Sequence, residues 1–502
     1  MLNIYYLNDE PKVILSDLAG EFPLYLYLSN NNDFIIYGDS VKEIFEHELV
    51  KTPFTVNSDG ISFLLQSDVI PPPLTAYKEL FILGIGDSVS IYSESGKVHM
   101  DFKHEFPFLN HSRNAKSTAD KDCLLKMLSQ ATEMRLDESK ETFLFHSAGK
   151  DSNSIAIALS LYANEKTKDS LTLVTHRSKG DADESQISKG IADSLGFKHI
   201  ILEEIDFLEE KHLSEIDNYF KKSSFPCTDN ICLAYPLYSY QLPKLKNANI
   251  IFGDGNDSHM ASPPTVRQIR FAKLANLFSK ASLFRKILKS ESVFHPFLRT
   301  SAEWFGPTGF TYCDASKFYP NVMSVYSYWN RESNLRKTWD VIDFKSDIYS
   351  TRIISEKMIR KLFNFGESIG SDIVLPFANK EIALYFSQLP EHYVFNRKTM
   401  TNKPILREIL AEHISIDSDN IGKMGWSYDI ESLVKNNWDY FLKEINECTL
   451  WKQSELAKII NRLNVSINSS KRYSSFSTRL FYRIFLISCW HNKCELLNEK
   501  EL

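Results

Sequence analysis

Thr142-Phe-Leu-Phe-His-Ser147-Ala148-Gly149-Lys150-Asp151-Ser152-Asn-Ser-Ile-Ala-Ile-Ala-Leu159 is an apolar run of strand length, a loop of small and polar residues, and then a run with helical composition. Small residues let backbone N–H groups approach a polyphosphate, and the helix start adds the positive end of its dipole. Asp151 is placed to hold a Mg2+ riding on those phosphates. The stretch therefore reads as a nucleotide phosphate loop, and the chain as an ATP user.

Outward from this loop the pattern continues as strand and helix in alternation. Apolar runs at 142–145, 171–175, 199–202 and 248–252 predict strands, and 152–163 and 183–195 predict helices. Such alternation predicts an α/β fold with helices on the faces of a parallel sheet. The strand at 248–252 ends in Gly253-Asp254-Gly255-Asn256-Asp257-Ser258. Ligands of open α/β sheets bind at the carboxyl ends of the strands, so the two loops are expected to converge on one crevice.

Residues 1–109 differ, alternating short aromatic and β-branched runs with Asn, Asp, Gly and Pro turns, and predict a small β-rich domain. Residues 110–122 read as a linker, and 123–495 as the main domain. Past residue 320 apolar spacing predicts helices at 343–365, 380–389, 402–412, 430–448 and 477–492. The segment 266–289 carries seven Lys/Arg and no acid. It reads either as a solvated helix face or as a site for an acidic partner or membrane surface.

The bulk properties bound the answer. At 502 residues the chain has length for a sizeable core, and 43% apolar with 24% charged residues is ordinary for a globular protein. The balance of 58 Lys+Arg against 64 Asp+Glu argues against a globally basic nucleic-acid binder. Seven cysteines, odd in number and without CxxC spacing, read as reduced thiols rather than zinc ligands. Asn3, Asn8, Asp9 and Glu10 interrupt any N-terminal apolar region, and Arg483 breaks the stretch 480–490, so no membrane span and a cytoplasmic location are expected.

Residues 147–152 lack the Gly spacing and Lys-Ser/Thr pair of a Walker-type loop. They resemble instead the Ser-Gly-Gly-x-Asp-Ser loop of the N-type ATP pyrophosphatases, with Ala148 in place of the first Gly. A methyl group fits there if φ stays negative. Taken alone, the stretch also reads as a chance turn opening a helix. The second loop narrows the resemblance to the asparagine synthetase family, whose segment reads Gly-Glu-Gly-x-Asp-Glu. Further matches follow in order: Asp183-Glu184-Ser185 with Leu195-Gly196 and His199; Leu375-Pro376-Phe377 with Leu389-Pro390 and Lys403-Pro-Ile-Leu-Arg407; and Lys423-Met424-Gly425-Trp426.

The resemblance implies an adenine-nucleotide α-hydrolase-like parallel sheet and a set of roles. Asp151 and Asp257 would hold Mg2+; Ser147, Ala148, Gly149, Ser152 and Gly253 would line the ATP phosphates; and Thr175 would meet adenine through its backbone. Lys423 would neutralise charge on the adenylating transition state. Without the motif order, Lys423 reads as a solvated surface side chain. Asp254 stands where the synthetases carry Glu, and would position or deprotonate an incoming amine; the bland reading is a turn Asp bonded to its own backbone. Ser258 and His259-Met260 depart from the family pattern, and His146 reads as a packed strand-end histidine.

Glutamine-dependent members begin with Cys after the initiator Met, whereas Leu2 follows Met1 here and the first cysteine is Cys123. The front region is therefore expected to be a shortened, non-catalytic glutaminase-like domain. The resemblance implies an ATP-dependent amide-forming ligase acting on a small-molecule or peptide carboxylate, with the amine coming from ammonia, a separate donor or pathway protein, or the substrate itself. The alternatives are a lasso-peptide macrolactam cyclase, related to the β-lactam and carbapenam synthetases, and an inactive binding or scaffold relative.

Overall fold

The computed structural model describes residues 2–108, 113–114, 116–179, 183–260, 262–275, 285, 287–306, 308–414, 428–469 and 473–498. The front of the chain forms two antiparallel sheets. One holds β1 (Asn3–Tyr6), β3 (Leu24–Leu28), β4 (Phe34–Gly38) and β5 (Leu80–Leu83) in the order β1-β4-β3-β5. The other holds β2 (Lys12–Leu15), β6 (Asp87–Glu94) and β7 (Lys97–His104) in the order β2-β6-β7. Strand β6 alternates buried Val89 and Ile91 with less buried Ser88, Ser90 and Tyr92, the pattern of a sheet with one packed face.

The second half of the architecture is the predicted parallel sheet. Strands β8 (Thr142–Phe145), β9 (Leu171–Arg177), β10 (Lys198–Glu203), β11 (Asn249–Ile251) and β12 (Asp372–Val374) run in the order β10-β9-β8-β11-β12, every neighbouring pair parallel. All four residues of β8 are buried because it lies mid-sheet with helices against it, which is why the sequence shows a continuous apolar run rather than alternation. The helix Lys121–Glu133 and the helix Pro404–His413 both pack on the helix Lys150–Tyr162. Leu128, Ile155, Leu159, Ile405 and Ile409 belong to the apolar cluster shared by these elements.

The second core cluster runs from Tyr27 and Phe54 of the front region through Tyr77 to Trp490 of the helix Ser474–Lys493. Tyr77 sits 5.2 Å from Phe54 and 5.8 Å from Trp490 between ring centroids. The front sheets thus share their core with the C-terminal helices.

The predicted helix at 343–365 is longer than expected. It comprises Val341–Tyr349, a π-helical segment Ser350–Ile359, and Arg360–Ile369, ended by Gly370 in the left-handed conformation. The run predicted at 430–448 is divided into Ile430–Asn436 and Trp438–Glu447. Asn437 makes the break: its amide donates to the carbonyls of Asp206 and Leu433, and its Oδ1 accepts from the Leu208 N–H. The fifth strand β12 and the helix Gln453–Ser469 carry no expectation from the sequence. Among the described residues no helix is long and apolar enough to cross a membrane.

Candidate active site

The loops at 147–152 and 253–258 leave the carboxyl ends of the adjacent strands β8 and β11 and meet. Gly253 marks the contact: a Cβ there would stand 2.9 Å from the Ser152 nitrogen and 3.2 Å from the Asp151 Cβ, so only hydrogen fits. Gly255 has a φ of +104°, and its Cβ would meet the Ala378 nitrogen at 2.9 Å. The second loop therefore packs on the first through one glycine and on the turn Pro376–Ala378 through the other. The Leu375-Pro376-Phe377 motif earns its place as this support.

A lysine that received no role from the sequence joins the loops. Lys403 Nζ donates to Asp151 Oδ1 and Oδ2 at 3.0 and 2.8 Å and to Asn256 Oδ1 at 2.8 Å, and pairs with Asp257 Oδ1 at 3.2 Å. Only 3% of Lys403 is exposed, and the two carboxylates hold its ammonium well above the usual lysine range against the opposing cost of burial. Its backbone is left-handed (φ 53°, ψ 50°) directly before Pro404, a conformation costing on the order of 1–3 kcal/mol. The strain falls on the residue that holds the two carboxylates together. Its motif, Lys403-Pro-Ile-Leu-Arg407, was the available signal.

Within the first loop the donors are already arranged for oxygen. The Ala148 N–H donates to Glu184 Oε2 at 2.9 Å, the Gly149 N–H to Ser147 Oγ at 3.1 Å, and the Ser147 N–H to Ser152 Oγ at 3.2 Å. Ala148 has a negative φ, so its methyl group costs no backbone strain, and Gly149 is the N-cap of the helix Lys150–Tyr162. Glu184, from the Asp183-Glu184-Ser185 motif, is a further residue without an assigned role, and burial pushes its carboxyl above the ordinary glutamate range while the Ala148 N–H opposes this. Thr175 closes the loop's root: its hydroxyl donates to the His146 carbonyl at 2.9 Å.

The asparagine synthase model matches residues 124–455, about two thirds of the chain. The chain belongs to the asparagine synthase family. Its members are ATP-dependent ligases that form amide bonds, and the matched span contains every motif quoted above. The search of curated proteins returned no match.

The residues around Lys403 can be tested for fit to the phosphates of ATP, which asparagine synthases use, and to a divalent ion on them. The Glu184 carboxylate is an anionic oxygen held by one loop donor, the Ala148 N–H, and an ammonium sits between Asp151 and Asp257 as a cation would. That donor set fits phosphate oxygens and a hard divalent ion completed by them. Among the described residues no group of three or more His, Cys, Asp or Glu forms a metal cage of protein ligands.

The departures from the family pattern have structural explanations. Ser258 Oγ donates to the Gly255 carbonyl at 2.9 Å, closing its own turn. His259 stacks on Phe386 at 5.2 Å with its Nε2 2.8 Å from the Phe377 carbonyl, and burial pulls it down to about 4. His146 is likewise sealed, beside Asn153 Oδ1 at 2.9 Å, with its pKa lowered by burial to about 4. Asp254 is half-buried; loss of water pushes its carboxyl above the ordinary aspartate range, the Lys361 ammonium opposes, and the charges of Asp257 and Asp151 add to the rise. Lys423 and the Met424-Gly425-Trp426 that follows lie outside the described residues.

Proposed function

We propose that the protein activates a substrate carboxylate by adenylation, releasing pyrophosphate, and then passes the acyl group to an amine with AMP as the leaving group. The observation that carries this reading is the pair of half-exposed carboxylates, Asp151 and Asp257, held side by side by one sealed ammonium next to a loop of N–H donors. Asp151 and Asp257 would hold Mg2+, which supplies charge neutralisation on the phosphates. Ser147, Gly149 and Ser152 would bind the departing pyrophosphate, Gly253 gives the close approach that keeps the loops together, and Thr175 would offer its main chain to adenine.

Lys403 orients the carboxylate pair, and Lys423 would supply positive charge to the reacting phosphate. Asp254, beside the same carboxylates, receives a proton from the amine; a carboxyl raised by burial is better matched to that task than an ordinary aspartate. The amine would come from ammonia, a separate donor or the substrate itself. The acyl substrate is a small-molecule or peptide acid, and a precursor-peptide macrolactam remains within the same chemistry.

Pyrophosphate release from Mg·ATP, measured with a panel of carboxylic acids and with ammonium or glutamine as nitrogen source, tests the reading. Acid-dependent release supported by ammonium and not by glutamine is expected. Absence of release together with no protection by Mg·ATP against thermal unfolding would identify a non-catalytic relative.

A further inference from the structure

The helix Val341–Tyr349 carries a buried lysine that the adenylating site does not use. Lys345 is 5% exposed, donates to the Phe305 carbonyl at 2.8 Å, and lies 3.6 Å from the centre of the Tyr349 ring. Among the described residues no carboxylate forms an ion pair with it. Burial pulls its amine down to about 7, the charge of Asp257 opposing that fall. A buried ammonium is normally paired, and one left without an anion is costly unless something else supplies it.

Lys345 lines a cavity of about 360 Å³ together with Phe305, Tyr349, Ile353, Lys357 and Met358, and among the described residues no acidic one lines it. That volume lies at the lower end of small-molecule sites, roughly 300–1,000 Å³. The second ammonium, Lys357, is already committed to Asp68. The helix that walls the cavity also touches the loop of Asp257: Ser350, the first residue of the π-helical segment, donates its hydroxyl to the Asp257 main-chain carbonyl at 3.0 Å, and the cavity residue Tyr349 precedes it. π-Helical turns are rare and are frequent at functional sites. One continuous helix therefore backs the metal-binding carboxylate and walls the cavity.

Resting on the ligase reading, we propose that this cavity seats the acyl substrate, and that Lys345 binds a second anionic group on an acid whose body is apolar or aromatic. The walls of Phe305, Ile353 and Met358 take the body, and the Lys345 proton donor not engaged by Phe305 or Tyr349 takes the anion. A charge-assisted hydrogen bond of this kind contributes about 1.5–3 kcal/mol, or roughly 10- to 100-fold in affinity.

Calorimetric titration of the intact protein with isophthalate and with its monoamide, 3-carbamoylbenzoate, tests the assignment without requiring turnover. The two probes share size and ring and differ in one charge. Isophthalate is expected to bind at least ~10-fold more tightly to the wild-type protein. K345M and K345Q should bind both probes alike, and K345R should retain much of the preference; K345Q keeps a donor for the Phe305 carbonyl should K345M fail to fold. Equal binding of the two probes by the wild type, no binding of either, or an undiminished preference in a folded charge-free variant would overturn the proposal. Failure of Mg·ATP protection in the same preparation would strike the ligase reading instead, and the isophthalate preference would stand or fall on its own.

Discussion

Asp151, Lys403 and Asp257 at the site, and Asp87, His104, Asp347 and Arg336 where the front sheets meet the long helix, are built from the same kinds of group. Their exposures differ. In the first set the ammonium side chain is 4% exposed while the carboxylates are 32% and 34% exposed. In the second, Asp87 and Asp347 are 5% and 0% exposed, and His104 spans them at 2.7 and 2.9 Å. Arg336 also holds Asp347, and Arg352 holds Asp87 at 3.0 Å. The second set is buried among its own partners, while the acids of the first remain about one third exposed to solvent. Solvent-reached acids on a fixed cation suit the proposed binding role; the buried ones form a seam between β6, β7 and the long helix.

Single-atom changes should separate the two sets, and the largest effects lie here. Asp151→Asn should lower pyrophosphate release by at least ~10²–10³-fold, the scale for losing one electrostatic element of an active site, with little change in the urea midpoint. Asp347→Asn should do the reverse, costing about 3–5 kcal/mol in urea unfolding because Arg336 and His104 lose their common anion, with activity per folded molecule retained. Equal destabilisation by both would erase the distinction.

The same contrast explains what could be read from the chain beforehand. The loops at 147–152 and 253–258 were legible because tight backbone approach restricts residue choice to Gly, Ala and Ser, and because parallel strands bring their carboxyl ends together. The Lys403 motif carries no sign of the residue's role, since nothing in a local pattern tells that a residue about 250 positions away pairs with Asp151. Glu184 was missed for the same reason. The seam was invisible, because Asp87, His104 and Asp347 have no common spacing and meet only through tertiary packing. Strand β12 is three residues long, too short for a periodic signal, and is held by its pairing with β11.

Removing the shared cation sharpens the comparison next. In Lys403→Met the acids of Asp151 and Asp257 repel, so the variant should melt lower in EDTA and regain about 2–3 kcal/mol at Mg2+ concentrations near 100 times Kd. The wild-type protein, already carrying its own cation, should respond less. An equal response of both proteins to Mg2+ would show that Lys403 does not fill the cation position.

His259 provides a smaller effect with a defined pH window. An unfolded histidine binds its proton near 6.5, whereas folded His259 stays neutral down to about 4. Between these values the unfolded chain holds more protons, so stability falls as the pH drops, by a few kcal/mol in order of magnitude. His259→Gln, which keeps a donor for the Phe377 carbonyl, should flatten the urea midpoint between pH 6.5 and 4 relative to wild type. An unchanged slope would mean that other groups carry the acid sensitivity.

Asp254 should give the smallest shift in stability and the most telling sign. Its folded carboxyl is raised by burial, with Asp257 and Asp151 adding to the rise, so above the ordinary aspartate value the folded state holds more protons than the unfolded chain. Stability is therefore lost as the pH rises through that window, the opposite of the His259 case. Asp254→Asn removes the cost and should raise the urea midpoint at pH 7–8, with the gain vanishing near pH 4. If Asp254 serves the amine step, the same variant loses product formation while pyrophosphate release in the adenylation half-reaction persists. A residue whose removal stabilises the fold and disables the chemistry belongs with the open carboxylates; one whose removal destabilises at every pH would belong with the sealed seam.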